Sequence, residues 1–333
     1  MRRCLIFIIA VTTFSLMGYA EKLAELTDFF QPADLAVDEH QFYVIEKAQV
    51  FIYSLEDYSL KRKFGQAGEG PKEFKLNPSG GGLSIVPQKQ SLVLNSIGKV
   101  SFYTKDGKFI KEIKCNPLSA RYKPMGNRFI GGTILMQTNQ MAVTINLFDD
   151  KLTKIKEIGK LEILSKGRMT LPIPVAKFYP LKNKIAIGGG EEFVINILDA
   201  DGNKVSAITR DYKRLEVTEK YKQRVLHSFK AGRGTKQAYE IIKNMITFTE
   251  YFPAIQSFWA DHENIYIQTY LEKDGKYEFF VYDHNGKFLK RLLLPVYYRD
   301  GINLFPTAVK NNFFYQLIEN EDEEVWELHR EKI

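Results

Sequence analysis

The side chains best suited to bind a ligand lie in the longer stretches that separate the short apolar segments of the sequence. Arginine offers a planar fork of donors for a carboxylate or phosphate, and tyrosine offers a flat ring and a hydroxyl for a sugar or peptide. We interpret seven such residues as candidate ligand-binding residues: Arg121, Tyr122, Arg168, Tyr251, Tyr297, Tyr298 and Arg299. The alternative, that each of them is an ordinary packed or solvated loop residue, stays open.

The residue spacing that would support catalysis or metal binding is absent from the sequence. The five histidines are scattered, without the His-x-His or His-Glu-x-x-His spacing of a zinc site. No Gly-x-Ser-x-Gly marks a nucleophile, and the glycines of 65–70 are not followed by the Lys-Ser/Thr of a phosphate-binding loop. We therefore expect no catalytic residue, metal or cofactor, and we favour a protein that is not an enzyme without deciding the question.

The elements that would position these side chains are short strands that repeat along the chain. The first repeat has apolar strands at 35–38, 42–45, 50–53 and 60–64. Four short strands within about forty residues are typical of one β-propeller blade. Asp106-Gly107, Asp201-Gly202 and Asn285-Gly286 supply the tight turn before the outermost strand of later repeats. Six such units predict an all-β, six-bladed β-propeller.

The ends of the repeat series and one gap within it call for separate interpretations. The last unit, 307–333, ends without an outer strand, so we predict that segment 22–27 is the outermost strand of the last blade and closes the ring. Blades four and five are separated by about 35 additional residues with the apolar periodicity of helices. Thr218 and Thr235 are the predicted caps of two helices, which form a helical insertion at about 216–249.

The first twenty residues have the pattern of a secretory signal peptide, with Arg2 and Arg3 before an apolar run and small residues before Glu21. The apolar run of about 13 residues is too short to span a bilayer comfortably, although an uncleaved anchor stays open. The sequence thus predicts that 21–333 form a secreted or periplasmic propeller with no stable membrane span after cleavage. The net charge of +7 is dispersed along the chain, which disfavours nucleic acid as a partner.

The first repeat resembles an NHL-type repeat. The resemblance rests on 32–38, on the strands at 42–44 and 50–53, and on Phe64-Gly65 followed by 68–74. The chain as a whole is similar to the bacterial secreted six-bladed β-propeller proteins. This resemblance implies the fold, but it implies little about function, because propellers host binding, lyase, lactonase and scaffolding roles alike. The lactonase and lyase relatives hold Ca²⁺ or Zn²⁺ around the propeller axis.

The predicted functional face is the one that carries the long connections between blades, because binding residues concentrate on loops that a rigid framework positions. These connections are 65–82, 115–127, 159–178, 210–253 and 295–306. We expect a non-catalytic binding or scaffold propeller that recognises a ligand, glycan, peptide or protein partner on this face. The alternative is a metal-dependent hydrolase, lactonase or lyase, with Ca²⁺ or Zn²⁺ at the mouth of the central channel.

Overall fold

The structure is a computed structural model. It describes residues 20–77, 82–116, 118–174, 176–231, 239–240, 243–299 and 302–333. Residues 1–19 of the predicted signal peptide, and residues 232–238 and 241–242 of the predicted insertion, lie outside these residues. The second predicted helix does not extend to Ile246, because that residue begins a strand, Ile246–Phe248.

Six four-stranded antiparallel sheets form the blades of a β-propeller, which confirms the predicted all-β, six-bladed fold. Blade one is β2–β5 (Asp34–Val37, Gln41–Glu46, Gln49–Ser54, Leu60–Phe64) and blade two is β6–β9 (Ser84–Pro87, Ser91–Ser96, Lys99–Thr104, Phe109–Lys114). Blade three is β10–β13 (Ser119–Met125, Arg128–Gln137, Gln140–Phe148, Lys154–Leu164) and blade four is β15–β18 (Lys177–Pro180, Lys184–Gly188, Val194–Asp199, Lys204–Thr209). Blade five is β20–β23 (Ser257–Ala260, Asn264–Lys273, Lys276–Asp283, Phe288–Pro295), and the sixth sheet joins β26–β28 (Thr307–Lys310, Phe313–Asn320, Val325–Lys332) to β1 (Glu21–Leu26).

The second strand of each blade is apolar on both faces because both faces are covered by neighbouring blades. In β3, Phe42 and Val44 pack in a cluster with residues of the sixth sheet, whereas Tyr43 and Ile45 pack in a cluster with residues of blade two. All four side chains are fully buried. The outer strand β5 is mostly exposed, so the apolar character of the strands falls from the middle of a blade to its rim.

The sixth sheet contains strands from both ends of the described chain. Strand β1 pairs antiparallel with β28, with Glu21 opposite Arg330 and Leu26 opposite Trp326. Just after β1, the buried ring of Phe29 packs edge-on against Phe51 of blade one, with 5.5 Å between centroids. The first residues therefore join the hydrophobic core between the sixth sheet and blade one.

Blade three differs from the sequence expectation. The stretch 115–127 is predicted as a loop, but it contains the inner strand β10, and β11 begins directly after it at Arg128. The inner strand borders the channel and therefore carries charged residues instead of an apolar alternation. The glycine at 131 has a packing reason, because a Cβ there would lie 2.9 Å from the ring of Tyr122.

Additional elements cover one side of the ring between the blades. Helix α1 (Glu219–Ala231) follows Thr218, whose hydroxyl accepts a hydrogen bond from the backbone N–H of Tyr221 at 3.2 Å. Strand β14 (Met169–Leu171) pairs in parallel with β19 (Ile246–Phe248), and β24 (Tyr298–Arg299) forms a hairpin with β25 (Asn303–Leu304). Among the described residues, no helix has the length and apolarity needed to cross a membrane.

Candidate functional site

The inner strands place a ring of polar residues at one end of the central channel. Each inner strand starts where the connection from the preceding blade arrives, and inner strands line the channel of a propeller. The inner strands of blades one, two, four and five and of the sixth sheet begin with the polar residues Asp34, Ser84, Lys177, Ser257 and Thr307. The polar ring therefore lies at the end of the channel that the long connections surround.

Strand β10 adds two basic residues, Arg121 and Lys123, to this ring. The register of β10 shifts between Ala120 and Lys123, and within this irregularity Arg121 has a φ of 58° and an exposed side chain. The charge of Arg121 acts on Asp34 of blade one and on Lys177 of blade four, so its guanidinium lies near both of them. We call Asp34, Arg121, Lys123, Lys177 and Tyr179 the channel cluster.

Each lysine of the channel cluster reaches toward the next blade. Lys123 donates from Nζ to the carbonyl oxygen of Phe178 at 2.9 Å and lies 3.5 Å from the ring centroid of Tyr179. Lys177 donates from Nζ to Oγ of Ser257 at 2.5 Å and lies 4.4 Å from the ring centroid of Trp259. Both ammonium groups are therefore held by neutral acceptors and by aromatic faces, which attract cations electrostatically.

The enclosure of the channel cluster shifts the pKa values of its charged groups. Burial lowers the pKa of Lys123 to about 7, and the nearby charges of Lys177 and Arg121 lower it further, while Asp34 opposes the shift. Burial, followed by the charge of Arg121, likewise lowers the pKa of Lys177 to about 7. Burial raises the pKa of Asp34 to about 6, although its hydrogen bond from the backbone N–H of Ile85 opposes this. Near neutral pH the two lysines are thus close to the midpoint of titration.

A cavity of about 600 Å³ adjoins the channel cluster at Lys177. Helix α1, the start of β20, the end of β21 and the β24–β25 hairpin contribute to its walls. The helix and the hairpin also contact each other directly, because Nδ2 of Asn303 lies 3.4 Å from Oγ of Ser228. We call this space the helix cavity.

Aromatic rings form much of the wall of the helix cavity. Phe252 stacks on Tyr270 with centroids 4.2 Å apart and meets Tyr221 of α1 edge-on at 4.8 Å. Tyr277 packs against Tyr298 at 5.2 Å. Burial raises the pKa of all four tyrosines, to about 12 for Tyr221 and Tyr277. The hydroxyls therefore stay protonated and act as neutral donors or acceptors.

Two polar groups at the wall of the helix cavity have unmet hydrogen-bonding capacity. Nε of Arg224, on α1, and Oε1 of Gln256, just before β20, are shielded from solvent and have no hydrogen-bond partner among the described residues. A buried polar atom without a partner costs about 1–3 kcal/mol. A ligand with a donor and an acceptor in the helix cavity would recover this free energy.

The structure brings two of the seven sequence-predicted residues to this region. Tyr298 lines the helix cavity, and its hydroxyl accepts a hydrogen bond from Nε2 of Gln268 at 2.8 Å. Arg121 belongs to the channel cluster. The sequence therefore identified one stacking residue of the helix cavity, Tyr298, and one basic residue of the channel cluster, Arg121.

The other five residues lie elsewhere. The ring of Tyr122 is 1% exposed and packs in the core between blades two and three. Arg299 lies over the rings of Phe305 and Trp326. Tyr297 lies beside His329, Tyr251 is stacked under Arg214, and Arg168 is exposed in a turn.

Sequence reasoning missed the lysines of the channel and most of the cavity wall. Lys123 and Lys177 sit on strands rather than in loops, and the aromatic residues of β21 and β22 read as ordinary strand residues. One usable signal was the polar residue that begins most inner strands, since an apolar residue is expected there unless the strand faces water.

The charges of the channel do not suit a divalent cation. Arg121, Lys123 and Lys177 would repel Ca²⁺ or Zn²⁺ from the channel mouth. In the described chain, three carboxylates close enough to hold an ion occur at Glu25, Glu323 and Glu327. Nζ of Lys22 already lies 2.6 Å from both Glu25 and Glu327, so one lysine of the protein occupies two of the three carboxylates.

Comparisons with known proteins establish the fold. No family model and no curated protein sequence matches the chain. The solved structure of a candidate exported protein from Bacteroides fragilis is similar, with a TM-score of 0.51, 10% identity and coverage of 95% of both chains. A member of the duf4221 family from Bacteroides vulgatus has a TM-score of 0.47 at 9% identity, over 95% of this chain and 99% of the other. A luciferin-regenerating enzyme has a TM-score of 0.44 at 9% identity, over 94% of both chains. At such identities the likeness shows the propeller fold alone.

Proposed function

We propose that this protein is a binding propeller that holds a small, flat organic ligand in the helix cavity without converting it. The observation that carries the proposal is the combination, in one half-open pocket, of aromatic walls with the unpartnered Arg224 Nε and Gln256 Oε1. Ligand pockets are typically apolar clefts of about 300–1,000 Å³ with a few polar groups that fix orientation. The helix cavity has this size and this distribution of groups.

The position of the helix cavity also favours ligand binding. It lies on the face of the long connections, and α1 covers it as a separate element that follows the outer strand of blade four. At its inner end Lys177 supplies a positive charge, and Arg224 supplies a second one on the helix. Two carboxylates, Glu216 and Glu272, also line the cavity, so we expect a ligand that combines an apolar ring with an anionic group placed at the Lys177 end.

Further proposals concern the finer architecture and the location of the protein. We propose that β1 closes the ring through its pairing with β28, and that α1 belongs to an insertion between blades four and five. The charged start and apolar run of the N-terminal sequence support a secreted or periplasmic protein. The similarity of the first repeat to NHL repeats supports a shared origin with such propellers. We also propose that a protein partner can bind the face that carries the long connections.

Anilinonaphthalene sulfonate is a suitable probe because it is an aromatic anion whose fluorescence rises in an apolar site. We expect saturable binding of one probe molecule per chain. Replacing Arg224 with methionine should weaken binding by about tenfold or more, since a hydrogen bond to a charged group contributes about 1.5–3 kcal/mol. Fluorescence titration of the purified protein measures both quantities.

The matched control is Lys230→Met, which removes an exposed positive charge from the last turn of the same helix. This variant should bind the probe as the unmodified protein does. Equal weakening in the two variants would mean that the probe responds to net charge, and the proposed site would be wrong. Absence of saturable binding to the unmodified protein would also refute it.

A further inference from the structure

The channel cluster holds more positive than negative charge, and its lysines are not neutralised by carboxylates. In the part of the chain that the structure describes, neither Lys123 nor Lys177 forms an ion pair. Each donates one hydrogen bond to a neutral oxygen, that of Phe178 or of Ser257. An ammonium group has three donors, so each lysine retains donors beyond the hydrogen bond that anchors it.

Among the described residues, the carboxylate of Asp34 forms no ion pair with either lysine. Its Oδ1 accepts from the backbone N–H of Leu35 at 3.1 Å, and its Oδ2 accepts from the backbone N–H of Ile85 at 3.2 Å. These bonds hold Asp34 on the wall formed by blades one and two, whereas the lysines are anchored on the wall of blades four and five. Three basic groups therefore face a channel that contains a single carboxylate from the cluster.

The positions of the lysines are fixed before any ligand arrives. The cation–π contacts with Tyr179 and Trp259, together with the hydrogen bonds to neutral acceptors, keep both ammonium groups at the inner strands instead of in bulk solvent. Ordering long side chains in advance lowers the entropy cost of binding. The arrangement is thus a preformed cationic site whose matching anion is not part of the cluster.

We propose that the channel cluster binds the tetrahedral oxyanion of a phosphate, with Arg121, Lys123 and Lys177 as its ligands. An arginine fork and two ammonium groups match the oxygens of phosphate in charge and in donor geometry. The phosphate could arrive free or as the anionic end of a molecule whose ring fills the helix cavity, because Lys177 borders both spaces. Binding of such a larger molecule rests on the proposed function, whereas binding of free phosphate does not.

Binding of an anion at this place should be coupled to proton uptake. The groups that face the lysines are Asp34 from β2, Arg121 from β10, Tyr179 from β15, and the uncharged Ser257 and Trp259 from β20. The pKa values of both lysines, about 7, should rise when an anion binds. The protein therefore takes up protons on binding near pH 7.5, and the affinity decreases as the lysines lose their protons at higher pH.

Isothermal titration calorimetry with inorganic phosphate and with sulfate tests the proposal. Sulfate does not change its own charge in this pH range, so any proton taken up binds to the protein. We expect one site per chain, proton uptake near pH 7.5, and affinity at least tenfold higher at about pH 6.5 than at about pH 9.5. Lack of saturable binding of both anions at the lower pH, or net proton release, would overturn the proposal, and neither result depends on a variant.

A pair of variants localises the site. Lys177→Met should lower the affinity for sulfate at least tenfold, whereas Lys182→Met should leave it unchanged, because Lys182 is exposed in the turn between β15 and β16. Equal affinity in the two variants would overturn the assignment to the channel. If the unmodified protein binds anilinonaphthalene sulfonate but neither sulfate nor phosphate, this inference is rejected and the proposed function stays intact. If it binds these anions but not the probe, the proposed function is rejected and this inference stays intact.

Phenyl phosphate distinguishes the two sources of the anion. Binding at least tenfold tighter than that of inorganic phosphate supports a larger molecule that spans the channel cluster and the helix cavity. Equal binding supports free phosphate as the ligand of the channel. In either case Lys177→Met should weaken the binding, and unchanged binding in that variant would contradict the proposed ligand set.

Discussion

Replacing Lys177 with methionine should stabilise the protein at low pH. The substitution keeps the length of the side chain and removes a charge that the channel wall disfavours. Its pKa is lowered from 10.5 to about 7, and one pKa unit corresponds to about 1.4 kcal/mol. The full shift would therefore correspond to about 4–5 kcal/mol of folding free energy per lysine.

Two effects reduce this magnitude. The side chain of Lys177 is half-buried rather than fully buried, and methionine loses the contact with the Trp259 ring, worth about 0.5–2 kcal/mol. We therefore expect the variant to be more stable than the unmodified protein by about 1–3 kcal/mol at about pH 6. A net gain of this sign would mean that the lysine is kept at a cost in stability, as expected for a binding residue.

The pH dependence of the stability difference between Lys177→Met and the unmodified protein tests this reasoning more sharply than the difference at one pH. Between pH 7 and 10.5 the unfolded lysine binds a proton that the folded one has lost, so this residue makes the stability of the unmodified protein rise with pH. The advantage of the variant should accordingly be greatest below pH 7 and close to zero near pH 10.5. Urea denaturation of both proteins across this range, with Lys182→Met as the control, measures the difference. A variant that is less stable at pH 6, or a gain that does not change with pH, would refute the reasoning.

Three further substitutions test the packing. Phe29→Ala should cost about 3–5 kcal/mol in urea denaturation because its ring is 2% exposed, whereas Phe30→Ala, at 82% exposure, should cost almost nothing, and equal losses would contradict this. Gly188→Ala should cost about 1–3 kcal/mol because the new Cβ would lie 2.5 Å from a phenylalanine ring, while Gly159→Ala, with its nearest contact at 3.5 Å, should be tolerated. Glu278→Gln should lower the unfolding midpoint by the equivalent of about 1–3 kcal/mol, because the buried carboxylate accepts three side-chain hydrogen bonds; an unchanged midpoint would count against that network.

The fold was predictable because its signals are local. A strand such as β3 needs apolar residues at its four central positions, since both faces are covered there, and a turn such as Asp106-Gly107 needs the glycine at a φ of +78°. Each repeat carries these signals independently, so errors in one blade do not affect the others. The inner strand β10 was missed for a physical reason: its charged residues face the channel water, and the same charges suggest a loop.

The candidate site was less predictable because it depends on which blades are neighbours. Lys123 and Lys177 are 54 positions apart, yet both have their environment set by contacts with the following inner strand. The aromatic wall likewise joins Tyr221 of the helix to Tyr270 of blade five. Of the residues chosen for their chemistry, Tyr298 and Arg121 reach the region, whereas Tyr122 became a core residue since strand alternation directs its ring inward.

The sheet shared by both ends of the described chain has a consequence for assembly. The partners Glu21 and Arg330 are separated by 309 positions, so β1 is synthesised long before β28. Until the last strands emerge, β1 has no partner and the nascent molecule presents an unpaired strand edge. During refolding at high concentration, β1 of one copy could therefore complete the sheet of another, giving exchanged dimers that retain every native strand pairing.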